Sequence, residues 1–297
     1  MQQYRMIAID LDGTLLSPAG EVTPRAKEAV QKCLSAGLLV CFATGRNWTE
    51  SRPVLDAVGH WPTAVFVGGA MVIDTEQRVT LHRTMMEPAL AAQLCEFLES
   101  SGHAVLALQD TGTAGVDYLV SGDVPLNDAT RQWMSATNSA VHRVERLGRY
   151  AHEHTIRIGI CATPQEIADV IRELAQRFGD RIVYQNLMVP AYGVEVLEVF
   201  DPAVNKWEGV LHVARRHNVE PSQIIAIGDD VNDIPMIRGA GLGVAMGNAR
   251  PQVQAVAQRI IGANRDEGLA QFLDEVVASR LVEPLKEQGE SELGIQM

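Results

Sequence analysis

The sequence predicts an α/β protein with a Rossmann-like core, built on a parallel sheet, and an inserted α+β domain. Short apolar runs alternate with helical segments over the first 75 residues, and the same alternation returns from residue 194 onward. The stretch between these parts has a different pattern of two helices and several strand-like runs. Because alternating strands and helices favour a parallel sheet covered on both faces, the middle stretch is predicted to be an insertion.

The first part contains three apolar runs that are typical of buried strands. They lie at 6–10, 38–44 and 63–74, the last of which includes a turn. A helix is predicted over 23–37, with Thr23 as its N-cap and Gly37 as its stop. A second segment, 49–59, is predicted to be helical in part.

The last part of the chain repeats this order. Its predicted strands are 194–200, 223–229 and 241–247. Its predicted helices are 206–218, 234–240, 251–258 and 266–278. We therefore assign residues 1–83 and 188–281 to one discontinuous core domain, followed by a polar C-terminal tail at 282–297.

Residues 84–187 are predicted to form the inserted domain. Its helices are expected at 87–102 and 163–179, and Thr163 with Glu166 forms a capping-box pattern at the start of the second helix. Its strand-like runs lie at 103–108, 116–121, 155–161 and 181–186. Two helices over several strands, predicted to be antiparallel, make a small α+β domain.

Charge and composition exclude several classes of partner. The net charge is −12, which argues against nucleic acid or an anionic membrane as a main partner, because both need clustered Lys and Arg. The N-terminus lacks an apolar signal core, and no run of 18 apolar residues occurs. The four cysteines form no CxxC pair and are interpreted as reduced thiols. We expect a cytoplasmic protein that is a monomer or a small homo-oligomer.

Polar residues follow the predicted core strands at or near the points where the strands end. They are Asp10 and Asp12 after the first strand, Thr44, Gly45 and Arg46 after the second, Asp229 and Asp233 in "GDDVND", and Lys206 at the start of the preceding helix. Each group alone fits an ordinary turn, N-cap or solvated lysine. Because open parallel sheets bind ligands beyond the carboxyl ends of their strands, the joint occurrence predicts one functional site.

Several converging carboxylates indicate a site for a hard divalent cation. Mg²⁺ is bound by one or two carboxylates together with waters and phosphate oxygens, and it would offset the repulsion between Asp10 and its neighbours. A carboxylate can also act as a nucleophile and form an aspartyl-phosphate. The Thr44 hydroxyl, the Lys206 ammonium and nearby backbone N–H groups are suitable donors to a phosphoryl group. This chemistry points to phosphoryl transfer.

In this order, "DLDGT", "TGR", a single lysine and "GDDVND" resemble the motifs of the haloacid dehalogenase-like (HAD) phosphatase superfamily. The inserted domain and "AGLGVAMGNA" at 240–249 resemble the Cof-type subfamily, which carries an α/β cap of the C2 type. The resemblance extends over nearly the whole chain before the tail. It implies a Mg²⁺-dependent phosphatase whose partner is a small phosphorylated metabolite, such as a sugar phosphate.

The same resemblance implies a role for each motif residue. Asp10 would be the nucleophile, and Asp12 the general acid that protonates the leaving group and then the base that activates water. Asp10, the backbone carbonyl of Asp12, and Asp229 would bind Mg²⁺. The residues implied to hold phosphate are Thr44, Gly45, Lys206 and Asn232, with Asp233 and Arg46 in supporting positions.

Substrate recognition is implied to involve the cap. Two departures from the family pattern, glycines at 68–69 in place of Asn-Gly and Trp207 in place of a glycine, leave the substrate fit open. The basic stretch 142–157 is interpreted mainly as a solvated helix face with a strand edge. Within it, Arg157 and His154 are candidates for contacts with the substrate.

Three other functions compete with the phosphatase. A phosphomutase of the same fold would return the phosphoryl group to its substrate instead of to water. A signalling receiver domain also uses clustered aspartates, a Thr and a Lys on a parallel sheet, although receivers are much shorter and lack an inserted cap. A binding protein with a degenerate site is disfavoured because every motif residue is present.

Overall fold

The computed structural model describes residues 4–137, 139–189 and 194–279. Its strands are β1 (Met6–Ile9), β2 (Leu39–Phe42), β3 (Thr63–Phe66), β4 (Met71–Asp74), β5 (Val79–Arg83), β6 (Leu106–Gln109), β7 (Tyr118–Ser121), β8 (Val141–Val144), β9 (Thr155–Ala162), β10 (Val183–Val189), β11 (Val194–Phe200), β12 (Ile224–Gly228), β13 (Leu242–Ala245) and β14 (Arg259–Ile260). Its helices are α1 (Pro24–Ser35), α2 (Trp48–Val58), α3 (Pro88–Ser100), α4 (Thr111–Ala114), α5 (Asp128–Thr137), α6 (Pro164–Phe178), α7 (Lys206–Arg216), α8 (Ile234–Gly239), α9 (Pro251–Gln254) and α10 (Gly268–Ala278). The predicted α/β class is confirmed, whereas α5 was not predicted.

The first of two compact units consists of residues 1–41 and 214–297, and we refer to it as the first unit. Among its described residues, one sheet has the strand order β14-β13-β12-β1-β2. β12 pairs in parallel with both β1 and β13. Every residue of β1 and β12 is buried, which is typical of a parallel sheet covered on both faces. The predicted parallel sheet is confirmed.

Helix α1 begins as its sequence predicts. The Thr23 side chain accepts a hydrogen bond from the Ala26 N–H at 3.0 Å and so caps the helix. The Thr23 hydroxyl in turn donates to the Glu267 carboxylate at 2.9 Å, next to the start of α10. Asp274 of α10 pairs with Lys32 of α1 at 3.0 Å. Helices α1 and α10 of the first unit are thereby joined at two places along α1.

The second unit consists of residues 42–213. Its described residues contain a three-stranded sheet, β3-β4-β5, and a six-stranded sheet in the order β10-β11-β9-β6-β7-β8. Helices α3 and α6 contribute Leu94, Leu98, Ile167 and Leu174 to an apolar cluster with residues of the larger sheet. Thr163 and Glu166 form the predicted capping box at the start of α6. The predicted domain boundaries stay a prediction.

The segment 63–74 differs from its prediction as a single strand followed by a turn. It forms two strands, β3 and β4, which pair antiparallel. Val67, Gly68 and Gly69 between them have φ of 54°, 66° and 107°. Three consecutive residues with positive φ reverse the chain, and two of them are glycines, which adopt this conformation at little cost.

The strand at 194–200 lies in a different sheet from the one predicted. β11 pairs antiparallel with β9 and with β10, so it belongs to the six-stranded sheet and not to the parallel sheet. Leu197 and Val199 are two residues apart, so they lie on one face of the strand, and both join the apolar cluster of the second unit. Glu198 between them lies on the other face and pairs with Arg157, so the two faces of this antiparallel strand differ.

The basic stretch 142–157 was predicted mainly as a solvated helix face with a strand edge; the helix is wrong, whereas strands are present. Its first residues belong to β8, its last residues belong to β9, and a short turn at 147–149 lies between. Glu99 of α3 fixes this turn, because its carboxylate accepts hydrogen bonds from the N–H groups of Leu147 and Gly148. A tertiary contact therefore overrides the local pattern.

His152 is a buried histidine of the second unit, and we expect it to make stability depend on pH. Its Nε2 contacts the Leu147 carbonyl at 2.8 Å and its Nδ1 contacts the Thr155 hydroxyl at 3.0 Å, which suits a neutral ring. Burial lowers the pKa of His152 below its ordinary 6.5. The unfolded chain therefore takes up the proton first, and this contribution to stability is present above pH 6.5 and lost as the pH falls below it.

The measurement is the free energy of unfolding of wild type and His152→Gln between about pH 7 and pH 5. We expect a shallower slope with pH in the variant. Equal slopes would contradict the assignment.

Three remaining expectations concern the whole chain. No helix in the described ranges is long and apolar enough to cross a membrane. None of the four cysteines, all of which lie in the described ranges, forms a disulfide; three are buried and Cys161 is half-buried. Burial raises the pKa of the Cys33 thiol to about 12, so this thiol is a poor nucleophile. The predicted tail at 282–297 lies outside the described residues.

Candidate active site

Asp10 and Asp12 lie in one turn but in different environments. Asp10 continues β1, and its N–H donates to the Ile227 carbonyl at 3.0 Å. The Asp10 side chain is buried, with 4 % of the residue exposed, whereas Asp12 is exposed. Gly13, with φ of 79°, turns the chain away from the sheet. Of the two carboxylates predicted to share the chemistry, that of Asp10 is therefore buried and that of Asp12 is accessible to solvent.

The "GDDVND" segment follows β12 and is organised by Asp233. The Asp233 carboxylate is fully buried and accepts hydrogen bonds from the N–H groups of Asp229 and Asp230, at 2.9 and 3.0 Å. Gly228 makes room for it, because a Cβ at this position would lie 2.4 Å from the Asp233 carboxylate. Asp233 thus fixes the backbone that carries Asp229, whereas its predicted supporting role toward Lys206 or a metal-bound water stays a prediction.

Three carboxylates of the first unit form a cluster. One oxygen each from Asp10, Asp229 and Asp233 lies within 4.8 Å of the other two. Like charges at this separation repel each other unless a cation or proton compensates them. The donor set is all carboxylate oxygen, with no thiolate or imidazole, so it fits a hard divalent cation such as Mg²⁺ better than a soft metal.

Two side chains that were not predicted as site residues hold Asp229. The Thr14 hydroxyl donates to Asp229 Oδ1 at 3.3 Å. The Asn248 amide donates to Asp229 Oδ2 at 3.4 Å and to the Gly13 carbonyl at 2.8 Å. Both residues lie inside the quoted motifs "DLDGT" and "AGLGVAMGNA", so the motifs held a signal that was not interpreted.

Gly13→Ala is expected to damage this site. A Cβ at position 13 would lie 2.1 Å from Asp229 Oδ2, and the φ of 79° is strained for alanine. If the site has the activity that the motifs imply, we expect that activity to fall about tenfold to a hundredfold, because Asp229 must move. The measurement is kcat/KM of phosphate release. Gly20→Ala is the matched control, since Gly20 has a similar φ of 77° but no atom within 4 Å of the added Cβ. Equal losses in both variants would attribute the effect to backbone strain alone.

In the second unit, three segments that carry predicted phosphate ligands or flank them are packed together. The Thr44 carbonyl accepts a hydrogen bond from the Gly68 N–H at 3.0 Å. A Cβ at Gly69 would lie 2.0 Å from the Asn205 carbonyl oxygen and 2.9 Å from the backbone nitrogen of Lys206. The two glycines that replace the family's Asn-Gly therefore allow the start of α7 to approach the Thr44 segment. Thr44 and Lys206 are both buried.

The other predicted residues occupy varied surroundings. Asn232 is half-buried, and its Oδ1 is buried without a hydrogen-bond partner among the described residues. The Arg46 N–H donates to the Thr44 hydroxyl oxygen at 3.1 Å. Arg157 is 7 % exposed and forms an ion pair with Glu198. These roles stay predictions, as does the role of each other predicted site residue.

The surroundings of His154 differ from those of Arg157. It lines a small cavity of the second unit together with Gln109, Tyr150 and Glu153. Its Nδ1 is buried with no hydrogen-bond partner in the described part of the chain. No contact of this cavity involves Arg157, so the two cap candidates do not form one group.

A carboxylate cluster at the strand ends of a parallel sheet is typical of an enzyme site, and this cluster could hold an oxygen-ligated cation. The chain belongs to the haloacid dehalogenase-like hydrolase family, whose model matches residues 7–273. This match confirms the resemblance that the motifs indicated, including the Cof-type grouping. The protein is a phosphatase of this family, that is, a phosphoric monoester hydrolase.

Similar proteins align with this chain over nearly its full length. The chain is 29% identical over 275 residues to the 5-amino-6-(5-phospho-D-ribitylamino)uracil phosphatase YitU of Bacillus subtilis, covering 91% of this chain and 96% of the relative. It is 26% identical over 281 residues to the pyridoxal phosphate phosphatase YbhA of Escherichia coli, covering 91% and 97%. A haloacid dehalogenase-like hydrolase structure from Bacteroides thetaiotaomicron superposes with a TM-score of 0.78 at 21% identity, covering 92% and 100%.

Proposed function

We propose that the protein is a Mg²⁺-dependent phosphatase that hydrolyses a small phosphorylated metabolite through an aspartyl-phosphate on Asp10. The observation that carries this proposal is the cluster of Asp10, Asp229 and Asp233 at the ends of neighbouring parallel strands. Three adjacent carboxylates at the edge of a sheet repel each other and so destabilise the fold unless a cation binds between them.

Asp10 is suited to the nucleophilic role. It is buried at the end of β1, and its backbone N–H is fixed by the Ile227 carbonyl, so its carboxylate is held by a rigid strand. In the first half-reaction, an Asp10 oxygen bonds to phosphorus while the bond from phosphorus to the substrate oxygen breaks. The leaving oxygen takes a proton from Asp12, and the products are an alcohol and phosphorylated Asp10.

Asp12 is suited to proton transfer. It is exposed, two residues from the nucleophile, and can therefore reach both the leaving group and a water molecule. In the second half-reaction, ionised Asp12 takes a proton from water as the water oxygen bonds to phosphorus. The bond to Asp10 then breaks, which releases inorganic phosphate and restores both carboxyl groups to their starting states.

The metal-binding residues in this proposal are Asp10, Asp229 and the backbone carbonyl of Asp12. Mg²⁺ bound there supplies positive charge that neutralises the phosphoryl oxygens and the clustered carboxylates. Thr14 and Asn248 hold both oxygens of Asp229 in place. Asp233 anchors the backbone of this loop, so it acts by positioning Asp229.

Phosphate binding is proposed for the packed group of the second unit. Thr44 offers a hydroxyl, Gly45 a backbone N–H and Lys206 an ammonium, which are suitable donors to phosphate oxygens. Asn232 is proposed as a further contact, in which its amide N–H groups donate to the phosphate, because its Oδ1 can only accept. These donors stabilise negative charge without taking part in bond formation.

The substrate class rests on the relatives. Two of them are named for phosphatases of phosphorylated nitrogen heterocycles, a ribitylaminouracil and pyridoxal. We therefore propose that the substrate is a small phosphate monoester of a sugar or of such a heterocycle. The receiver alternative loses support, because the family match extends over residues 7–273.

Metal removal is expected to abolish the activity. Phosphate release would be measured on a panel of sugar phosphates, pyridoxal phosphate and a ribityl phosphate, with Mg²⁺ and with EDTA. We expect release with Mg²⁺, loss by at least about a hundredfold with EDTA, and recovery when Mg²⁺ is added in excess. Activity that persists in EDTA would contradict the role of the acidic cluster.

The phosphomutase remains the second candidate, because the same aspartyl-phosphate could return its phosphoryl group to a sugar. The panel separates the two functions. A phosphatase releases inorganic phosphate in proportion to the alcohol that is formed. Formation of an isomeric sugar phosphate without free phosphate would favour the mutase.

A further inference from the structure

One peptide group next to Thr44 is fixed by hydrogen bonds at both its carbonyl and its N–H. It is the peptide that joins Gly45 to Arg46. Its carbonyl, on Gly45, accepts a hydrogen bond from the Arg157 guanidinium at 3.3 Å. Its N–H, on Arg46, donates to the Thr44 hydroxyl oxygen at 3.1 Å. Arg157 of the six-stranded sheet therefore fixes the orientation of this peptide through its carbonyl. The N–H of the same peptide in turn fixes the Thr44 hydroxyl oxygen.

This arrangement determines what the Thr44 hydroxyl can do. Thr44 is fully buried, its N–H donates to the Val65 carbonyl at 2.9 Å, and its carbonyl accepts from Gly68. The hydroxyl oxygen accepts from the Arg46 N–H. A hydroxyl has one proton to donate, and the bond from Arg46 occupies one acceptor position without using that proton. The hydroxyl is thereby set to donate, which is the role that a phosphate ligand needs.

Arg157 is itself fixed by its neighbours. It is 7 % exposed, forms an ion pair with Glu198 of β11, and donates to the Tyr118 hydroxyl at 3.0 Å. Burial by itself lowers the pKa of the guanidinium, but Glu198 and Tyr118 raise it, so the overall pKa is above the ordinary value and the group stays charged. Glu198 also accepts a hydrogen bond from Gln185, at 2.7 Å.

We propose that Arg157 is a positioning residue: held by Glu198, its guanidinium fixes the Gly45–Arg46 peptide and thereby orients the Thr44 hydroxyl for phosphate binding. The inference rests on the proposed function, in which Thr44 binds phosphate. It gives Arg157 a different role from the substrate contact predicted from sequence. Its three donor bonds go to Glu198, Tyr118 and Gly45, and the planar fork of an arginine suits three acceptors in different directions.

A double-mutant cycle tests this role. The variants are Arg157→Lys, Thr44→Val and the two combined, and the readouts are kcat/KM of phosphate release and inhibition by inorganic phosphate. Lysine keeps the charge but loses the fork, so we expect Arg157→Lys to lower kcat/KM about tenfold and to weaken phosphate inhibition to a similar extent. In the Thr44→Val background, Arg157→Lys is expected to change either value less than about twofold.

Controls separate positioning from a general effect on folding. Arg83→Lys is the matched variant, because Arg83 also pairs with a buried carboxylate of the second unit, Asp110, at 2.5 Å but has no recorded contact with the Thr44 segment. We expect it to leave kcat/KM within about twofold of wild type. Glu198→Gln provides a second route to loosening Arg157, and it replaces Arg157→Lys in the cycle if that variant does not fold.

The outcomes are distinct. If the losses from Arg157→Lys and Thr44→Val multiply in the double variant, Arg157 does not act through Thr44 and the inference is overturned. It is also overturned if Arg157→Lys changes neither readout, or if Arg83→Lys gives the same loss. If the wild type itself shows no metal-dependent phosphate release, the proposed function fails first. If the wild type is active and the losses from Arg157→Lys and Thr44→Val multiply, only the inference about Arg157 is overturned, and the proposed function is unaffected.

Discussion

Asp10→Asn is expected to lower phosphate release by about 10⁴-fold or more. The amide is isosteric with the carboxylate but is a poor nucleophile, so no phosphoryl group can be transferred to it. The measurement is kcat with the best substrate of the panel, together with a search for phospho-enzyme by intact mass. We expect neither turnover nor phospho-enzyme in the variant.

The same substitution should leave the fold intact. Asp10 is one of three carboxylates whose oxygens lie within 4.8 Å of one another, and its neutralisation removes repulsion in the absence of metal. We expect the free energy of unfolding in EDTA to change by less than about 1 kcal/mol. Asp230→Asn is the matched control: its carboxylate pairs with Arg250 at 2.8 Å, and we expect near-normal rates. Near-normal rates in Asp10→Asn itself would overturn the nucleophile assignment.

Asp12→Asn is expected to slow turnover by about 10²- to 10⁴-fold, the usual contribution of a general acid or base. Unlike Asp10→Asn, it leaves the nucleophile in place. Removal of the base slows attack by water on the aspartyl-phosphate, so we expect phospho-enzyme to accumulate with substrates whose leaving group needs little protonation. Quenched reactions analysed by mass spectrometry would measure this accumulation.

The contrast between the two variants is itself informative. The proposed roles predict phospho-enzyme in Asp12→Asn, which keeps the nucleophile but loses the base, and none in Asp10→Asn, which loses the nucleophile. If Asp12→Asn turned over at the wild-type rate, proton transfer would have to come from another group. If phospho-enzyme formed in both variants, Asp10 would not be the residue that carries the phosphoryl group.

Much of the first unit could be predicted from sequence because its signals are local. A strand covered on both faces must be apolar throughout, and β1 and β12 are recognisable for that reason. The Thr23 cap is equally local, since the side chain bonds to the N–H three residues on. The acidic residues stand out because carboxylates directly after apolar strands have a cost that a fold alone does not repay.

The second unit shows why other features could not be predicted. The pairing partner of a strand is not encoded in its own residues, so β11 looked like a core strand although it joins the six-stranded sheet. The turn at 147–149 depends on Glu99, which lies 48 residues away along the chain. The stretch around this turn was interpreted as a helix face because a window of neighbouring residues does not include that partner.

The sequence by itself therefore determined the parallel-sheet class, the caps and the acidic motifs, because each depends on residues that are near in the chain. Only the tertiary structure decided that Thr14 and Asn248 hold Asp229, and that Asp10 is buried while Asp12 is exposed. It also decided that Arg157 bonds to the Gly45 carbonyl, 112 residues away in sequence. Contacts of this kind arise from folding, which brings together groups that no local pattern connects.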